Sequence, residues 1–342
     1  MNPISKKIIA LLTCSFLFCS SVAAYAARPL IIDTDAAIDD AIAMLYLFNR
    51  QDVDVKAITI VATGEAHCRP ALRNIAGLIR LGNKSAIPLA CGRDTPLEGN
   101  HQFPQWITES ADSMYHMARF LPKAKSPAAG NAVALLTKTL QQSKQPVDIV
   151  ALGPLTNIAE MIQKNPAVIQ KIRMIYMMGG AVNVSGNVAS VEPARKNNAA
   201  EWNFYIDPKA DDIVFRSGVP ITLVPLDATN QVPVDNSFYQ QLIKSLPNTA
   251  SARFIYKLFT LNKKSFLSQH WYFWDPLAAA IATDESIATI ETKKLRIITH
   301  PDEMSGATVV DNQNGNDVRV CTRAEAKKFT HVALQTIMHF QA

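Results

Sequence analysis

The chain has 342 residues, 48% of them hydrophobic and 18% charged, a balance that excludes a disordered protein and is typical of a globular enzyme. Its net charge is only +5 and it contains no dense block of lysine and arginine, so the composition argues against a nucleic-acid-binding protein. The length suits one large α/β domain or two smaller ones, and because no repeat or linker interrupts the chain we expect one domain.

The first 26 residues are predicted to be a secretory signal peptide. Residues 6–7 are lysines, residues 8–18 form a short apolar run, and residues 24–26 read Ala-Tyr-Ala, a small-x-small cleavage signal. The apolar run is too short for a good membrane span. Cleavage after residue 26 removes two lysines and no acid, which lowers the net charge from +5 to +3. We therefore expect an exported protein, periplasmic or secreted, with a single catalytic domain over residues 27–342 and no membrane association.

An acidic cluster follows the first predicted strand, residues 30–32. Four aspartates, Asp33, Asp35, Asp39 and Asp40, fall within eight residues, and apolar residues at helical spacing predict a helix over 38–48. Open α/β sheets place their sites at the carboxyl ends of strands, where so many like charges would repel one another. A hard cation such as Ca²⁺ or Mg²⁺ would hold them together. The alternative is an acidic helix N-terminus favoured by the macrodipole, but capping needs only one or two carboxylates.

Strand-like and helix-like segments alternate through the middle of the chain. The predicted strands are residues 55–62, 87–91, 148–152, 172–178 and 220–226, and the predicted helices are residues 69–81, 132–142, 157–163 and 208–216. This alternation predicts an α/β fold with an open, mostly parallel sheet flanked by helices. Residues 92–125 are rich in proline, polar and aromatic residues, and a loop of that length is typical of a lid or binding loop.

The last third of the chain is more helical. Helices are predicted over residues 237–244, 251–266 and 276–282, followed by two or three strands at 287–298, 307–310 and 317–321 and a final helix from Arg323. We expect a helical C-terminal insertion in the same α/β domain.

Three cysteines, Cys68, Cys91 and Cys321, remain after removal of the signal peptide. An exported protein can form disulfides, and an odd number leaves at least one thiol or an intermolecular bond. Cys68 and Cys91 both follow predicted strand ends and could pair, but the sequence does not give their separation.

Four further groups of polar residues and glycines stand at or after predicted strands. They are residues 152–157 (LGPLTN), residues 178–180 (MGG) with Gly186-Asn187, residues 201–208 (EWNFYIDP) and residues 270–276 (HWYFWDP). Each also has a plainer interpretation, since Gly-Pro makes turns and Asp before Pro caps helices; for Asp207 we favour the N-cap. The carbonyl of Leu152 is left free at a strand end, where an ion could use it.

Together with the acidic cluster, these groups resemble the nucleoside hydrolase family of the inosine–uridine preferring type. The family motif Asp-x-Asp-Pro-Gly-x-Asp-Asp stands here as residues 33–40, with Ala36-Ala37 in place of Pro-Gly. The resemblance runs from Pro29 to about Pro276, with the other groups in the family's order. It implies a nucleoside hydrolase-like, Rossmann-like fold, a homo-oligomer, and Ca²⁺-dependent hydrolysis of ribonucleosides to ribose and free nucleobase in purine or pyrimidine salvage.

The resemblance also implies roles for individual residues. The Ca²⁺ ligands would be Asp35, Asp40, Asp275 and the carbonyl of Leu152, and Asp35 would also take a proton from a metal-bound water. Asp39 and Asn203 would bind the ribose 2′- and 3′-hydroxyls, and Asn187 and Glu201 the 5′-hydroxyl. Asp33 would not bind the ion itself but would support the motif residues that do.

The chain departs from the family at two positions in these groups besides the Ala-Ala turn. Glu65 stands about where an asparagine is common, and Trp274 stands where many members place a histidine associated with the leaving base. Possible replacements for that histidine are His67, His101, His116 and His270. Among aromatic residues that could stack on a base, Trp202 and Trp274 are the better candidates and Trp106 and Tyr205 are further ones, whereas Trp271 and Tyr272 are expected to be packed in the interior.

Two other functions compete with hydrolysis. An exported nucleoside- or sugar-binding protein could use the same pocket without turnover. A phosphatase of the Asp-x-Asp-x-Thr kind is disfavoured, because Ala37 stands where that motif has threonine or valine.

Overall fold

The computed structural model describes residues 27–84, 87–125, 128–245 and 247–338. The predicted signal peptide, residues 1–26, lies outside the described residues.

The described strands form one nine-stranded sheet. They are β1 (Arg28–Thr34), β2 (Val53–Ile60), β3 (Leu89–Cys91), β4 (Val147–Leu152), β5 (Ile172–Met178), β6 (Ile221–Val224), β7 (Ala288–Ile297), β8 (Thr308–Val310) and β9 (Asn316–Ala324). Their order is β3-β2-β1-β4-β5-β6-β9-β7-β8, and only the pairs that involve β7 are antiparallel. The mostly parallel α/β sheet is therefore confirmed. The strand order changes direction between β1 and β4, which is where such sheets open a crevice.

Helices cover both faces of the sheet. They are α1 (Ile38–Phe48), α2 (Cys68–Leu81), α3 (Gln105–Asp112), α4 (Ala132–Gln142), α5 (Thr156–Lys164), α6 (Val188–Val191), α7 (Trp202–Ile206), α8 (Pro208–Arg216), α9 (Leu226–Thr229), α10 (Asn236–Leu242), α11 (Ala250–Ser268), α12 (Trp274–Thr283) and α13 (Ala326–Met338). Side chains alternate between faces along β1: Leu30 and Ile32 pack with α1 and α12, and Ile31 packs with α4, α5 and α8. This alternation explains why β1 is apolar on both faces. None of the described helices is both long enough and apolar enough to cross a membrane.

The structure differs from three of the predicted segments. The predicted strand 220–226 ends at Val224, because α9 begins at Leu226 directly after Pro225. The predicted loop 92–125 contains α3 and a 3₁₀ turn, Met117–Phe120. The final helix does not start at Arg323, since Arg323 pairs with Thr289 in the sheet and α13 begins at Ala326.

Cys68 and Cys91 form a disulfide, with Cα atoms 5.9 Å apart. The bond joins the start of α2 to the end of β3, and so anchors the loop that leads from β2 into α2. Cys321 is a buried free thiol.

Candidate active site

The acidic motif lies where β1 ends and α1 begins. The turn passes through Ala36, whose φ of 64° is in the left-handed region. Thr34 Oγ1 donates to the Asp40 carboxylate and accepts from the Ala36 N–H at 3.0 Å. The same carboxylate accepts from the Ala37 N–H at 2.9 Å. Asp40 therefore stabilises the start of α1, which is the helix-capping role weighed from the sequence, but the other acids of the motif are left for another purpose.

Three carboxyl groups meet in front of this turn. Asp39, Asp40 and Asp275 each offer an oxygen, and these oxygens lie within 4.8 Å of one another. Asp275 comes from the first turn of α12, which packs against α1. Burial raises the pKa of Asp40, and burial followed by the charges of Asp40 and Asp39 raises the pKa of Asp275 well above its usual range. Because carboxylates this close repel in a poorly solvated site, the group suits a hard cation with oxygen ligands.

Asp35 lies beside this group, held between two loops. A Cβ atom on Gly64 would come within 2.2 Å of Asp35 Cβ, and one on Gly153 within 2.9 Å, so both neighbours must be glycine. The Glu65 N–H donates to Asp35 Oδ2 at 3.2 Å. Burial, and next the charge of Asp40, raises the pKa of Asp35 well above its usual range. The side chain is thus fixed in orientation with its carboxyl group at the cavity.

All ten residues predicted for the site line one cavity of about 350 Å³. They are Asp35, Asp39, Asp40, Leu152, Asn187, Glu201, Trp202, Asn203, Trp274 and Asp275. Of the four predicted Ca²⁺ ligands, Asp40 and Asp275 belong to the close group of three; its third member is Asp39, while Asp35 and Leu152 line the cavity beside it. Their roles as ligands stay predictions.

The side of the cavity predicted to bind the 5′-hydroxyl is held by main-chain contacts. Glu201 caps α7 by accepting from the N–H groups of Asn203 at 3.0 Å and Phe204 at 3.3 Å, and it also accepts from Gly180 N–H at 3.1 Å. Burial raises the pKa of Glu201 to about 7, although these hydrogen bonds act in the opposite direction. Asn187 Oδ1 accepts from the main chain at 3.0 Å, and its amide nitrogen has no partner among the described residues. These polar groups are therefore oriented before any ligand arrives.

Two other candidate aspartates have supporting positions. Asp33 is buried behind the motif, where Thr59 Oγ1 donates to it at 2.6 Å and Asn157 Nδ2 at 2.8 Å. Asp207 accepts from Ala210 N–H at 3.1 Å, so the predicted N-cap is confirmed.

Aromatic rings form a large part of the cavity lining. We call this surface the aromatic wall; its members are Phe103, Trp106, Tyr115, Trp202, Trp271 and Trp274. The ring centroids of Trp271 and Trp274 are 5.6 Å apart, and Tyr115 meets Trp271 edge-on at 5.2 Å. Trp202 stacks on Phe103, with ring centroids 5.1 Å apart. Such rings offer faces on which a flat base can stack.

The aromatic wall is the part of the site that the sequence predicts least completely. Phe103 and Tyr115 line the cavity, but no sequence pattern marks them individually. The length of the loop 92–125 predicts only that it is a lid or binding loop. Trp271 has the expected packing, since it is partly buried against the core and stacks on Phe266 with centroids 4.3 Å apart, and it also lines the cavity. Tyr205 was a stacking candidate; it is instead buried under the ring of His101, with centroids 4.0 Å apart.

No lysine, arginine, histidine or cysteine within the described ranges lines the cavity. The four histidines considered as replacements lie outside its lining; His67 pairs with Asp112 at 2.8 Å and His101 with Asp302 at 2.7 Å. Nothing in the described cavity therefore offers a cationic side chain to the carboxyl groups.

Comparison of the whole chain with known proteins finds related sequences and structures. A model of the family described as inosine-uridine preferring nucleoside hydrolase matches residues 30–331. The chain is 32% identical over 295 residues to the pyrimidine-specific ribonucleoside hydrolase RihA of Salmonella agona (strain SL483), with 83% of this chain and 89% of the relative covered. Among solved structures it matches an inosine-guanosine nucleoside hydrolase with a TM-score of 0.77 at 28% identity, covering 92% of this chain and 100% of that one. A plant nucleoside hydrolase, PpNRh1, matches with a TM-score of 0.77 at 25% identity, covering 91% and 99%.

Proposed function

Because the chain belongs to the inosine-uridine preferring nucleoside hydrolase family and is an N-glycosyl hydrolase of ribonucleosides, we propose that it converts a ribonucleoside and water to ribose and a free base with Ca²⁺ at the acidic group of the cavity. The observation that carries the proposal is the meeting of Asp39, Asp40 and Asp275 oxygens within 4.8 Å. They come from two separate stretches of the chain and face the same cavity as Asp35.

The donor atoms fit the proposed ion. The residues that would hold it are Asp35, Asp40, Asp275 and, through its carbonyl, Leu152, with Asp39 at the same group. All are oxygen donors, which Ca²⁺ prefers, and a divalent cation would relieve the repulsion among the buried carboxyl groups. When bound, the ion would supply Lewis acidity beside the attacking water and the ribose hydroxyls.

Side chains of the protein act as the proton acceptor, bind the ribose hydroxyls and stabilise the transition state. Asp35 takes a proton from the attacking water, since its carboxyl group lines the cavity and is oriented by the Glu65 N–H. Asp39 and Asn203 bind the 2′- and 3′-hydroxyls. The surrounding carboxylates stabilise the positive charge that develops on the ribose ring in an oxocarbenium-like transition state.

In this proposal the 5′-hydroxyl and the base contact different residues of the cavity. Asn187 and Glu201 hold the 5′-hydroxyl, and Trp202 and Trp274 contact the base. We infer that water attacks C1 from the face opposite the base and inverts its configuration; ribose formed with retained configuration would contradict this.

A nucleoside panel tests the function. Pure protein with Ca²⁺ is incubated with uridine, cytidine, inosine and adenosine, and released reducing sugar is measured. The relatives named as pyrimidine-specific support uridine and cytidine as substrates, while the inosine-guanosine enzyme supports purine nucleosides. Binding of nucleosides with no release of sugar would favour the alternative, an exported binding protein without turnover.

Export and assembly are separate proposals. We propose that residues 1–26 direct export to the periplasm or the medium, and N-terminal sequencing of the exported protein should begin at Ala27. We also propose a homo-oligomer, which sedimentation analysis of the mature protein will test.

A further inference from the structure

Three long segments of the chain contain basic residues and no acid. Residues 66–93, 113–147 and 236–274 together hold fifteen lysines and arginines and not one aspartate or glutamate. All 29 acids of the chain therefore lie outside these segments. The net charge of only +5 does not reveal this division, because the basic segments and the acidic remainder largely cancel in the sum.

The fold joins parts of the three segments on one side of the molecule. A Cβ atom on Gly77, in α2, would lie 3.0 Å from Leu121 Cβ. At the start of α11, Ser251 Oγ donates to the Leu81 carbonyl at the end of α2 at 3.3 Å. Therefore α2, the stretch 119–123 and α11 form one continuous surface.

Basic side chains of all three parts meet around Phe120. Lys257 Nζ lies 4.1 Å from the centre of the Phe120 ring, and the guanidinium carbon of Arg119 lies 4.9 Å from the same centre. Arg80 donates to the main-chain carbonyl of Lys123 at 3.3 Å. The basic groups are thus close neighbours in space, although they are far apart in the chain.

We call this region the basic surface; its exposed members are Arg73, Arg80, Arg119, Lys123, Arg253 and Lys257. The ion pairs among the described residues include none of these six side chains. Six neighbouring positive charges without acidic partners create a positive potential, which attracts an anionic partner.

An exposed leucine continues the basic surface along α11. Arg253, Lys257, Leu261 and Lys264 follow one another at spacings of four and three residues, so they lie on the same side of the helix. Leu261 is 58% exposed, more than any other large hydrophobic residue in the described ranges. Lysine and arginine bind the phosphates of lipid headgroups, and an apolar side chain between them can enter the acyl boundary. The backbone of a nucleic acid offers phosphates but no such apolar layer.

We propose that the basic surface docks the protein on an anionic lipid bilayer. The proposal does not depend on the hydrolase function, since no member of the surface lines the cavity. It replaces the expectation from the sequence that the mature chain has no membrane association, because net charge does not report how charges are arranged on a surface.

Vesicle sedimentation tests the proposal. The protein, residues 27–342, is mixed with vesicles of equal parts phosphatidylglycerol and phosphatidylcholine, or of phosphatidylcholine alone, and the bound fraction gives a partition coefficient. We expect the coefficient for the neutral vesicles to be at least about 10²-fold lower. Binding to the anionic vesicles should weaken as the salt concentration rises.

Variants separate the contribution of charge from that of the leucine. The triple variant Arg73→Gln, Lys123→Gln, Lys257→Gln removes one charge from each of the three parts and should lower the partition coefficient about 10²-fold. Leu261→Ala leaves the charge unchanged and should lower it about three- to tenfold, because less apolar area enters the bilayer.

The matched control removes three charges from the other face of the sheet. Lys138, Lys144 and Lys171 are exposed residues in or near α4 and α5, which pack on that face. Their triple change to glutamine should alter the partition coefficient by less than about threefold, since these charges are screened from the docked bilayer. Both triple variants should keep the wild-type kcat/KM on the best nucleoside, because none of the six residues lines the cavity.

Several results would overturn the proposal. They are equal binding to both kinds of vesicle, and equal losses in the two triple variants. Binding of single-stranded RNA with no binding to either vesicle would assign the basic surface to nucleic acid instead. An oligomer that the basic-surface triple variant splits into monomers, again with no vesicle binding, would assign it to a second copy of the chain. Release of sugar, measured on the same samples, reports the hydrolase function separately from docking.

Discussion

Buried aspartates at the two ends of the sheet differ in whether basic side chains pair with them. At the amino end of β4, Asp148 is buried and accepts hydrogen bonds from Arg28, at 2.8 Å, and from Arg173. At the carboxyl end, Asp40 and Asp275 are equally buried, but no arginine or lysine among the described residues lines their cavity. The chain pairs the first acid with its own arginines, whereas no lysine or arginine among the described residues lines the cavity of the second group.

We expect this contrast to separate an acid that supports the fold from acids that serve the proposed reaction. A buried charge is tolerated only if it is paired, protonated or bound to a metal. Asp148 satisfies that condition within the chain, so its loss should weaken folding. The carboxyl-end group has no such partner among the described residues, and we propose that a bound cation balances its charge, so its loss should weaken function more than folding.

The largest expected effect is that of Asp35→Asn on catalysis. The amide has the same shape but cannot take a proton from water, so kcat should fall about 10²–10⁴-fold with little change in the thermal unfolding curve. Steady-state kinetics on the best substrate of the panel measures it. Near-normal turnover would remove Asp35 from the mechanism.

Asp148→Asn is the matched control at the other end of the sheet. It should leave kcat close to the wild-type value and lower the free energy of unfolding by about 1–2 kcal/mol, a moderate loss because both arginines are partly exposed. If this variant lost activity while its stability stayed unchanged, the contrast between the two ends would fail.

Removal of Ca²⁺ by a chelator should affect only the acidic group at the carboxyl end of the sheet. EDTA should abolish most activity and lower the melting temperature, and added Ca²⁺ should restore both, because a ligand that binds only the folded state stabilises it by about 2.7 kcal/mol at a hundred times its Kd. Asp40→Asn should lose the Ca²⁺-dependent shift in melting temperature, and Asp148→Asn should keep it. Full activity in rigorously chelated protein would rule out a metal-dependent reaction.

The free energy of unfolding should depend on pH through Glu201. Burial raises the pKa of Glu201 from 4.5 to about 7, so its contribution to stability is fully present below pH 4.5 and is lost as the pH rises through about 7. In calcium-free protein, the wild type should therefore lose about 3 kcal/mol more than Glu201→Gln across this range. Urea unfolding at several pH values in EDTA measures the difference, and parallel curves for the two proteins would contradict it.

The smallest effect concerns the turn that carries the acids. Ala36 has a φ of 64°, a conformation that costs an L-residue about 1–2 kcal/mol and glycine almost nothing. After allowing for the greater chain entropy of unfolded glycine, Ala36→Gly should raise the free energy of unfolding by about 0.5 kcal/mol. Ala36→Pro, which restores the family residue, should destabilise the protein, because proline fixes φ near −65°. Denaturant unfolding compares the three; a proline variant as stable as the wild type would show that the turn can change its path.

Local sequence predicted the acidic part of the site well. The aspartates around β1 and α1 are close in the chain, so a strand, a turn and a helix are enough to bring them together. The local sequence marks the segments that contain Asp275 and Glu201, but only the family resemblance assigns both residues to the same site, since no local pattern relates residues so far apart in the chain.

The amino-acid sequence by itself determined the alternation of strands and helices, the acidic turn after β1 and the family, because each depends on residues that are neighbours in the chain or on motifs in order. Only the tertiary structure decided that α12 packs on α1 and so brings Asp275 to Asp39 and Asp40, that Cys68 pairs with Cys91, and that Tyr115 and Trp271 meet in the aromatic wall. Those contacts depend on how distant segments pack against one another, and packing is settled by the whole core.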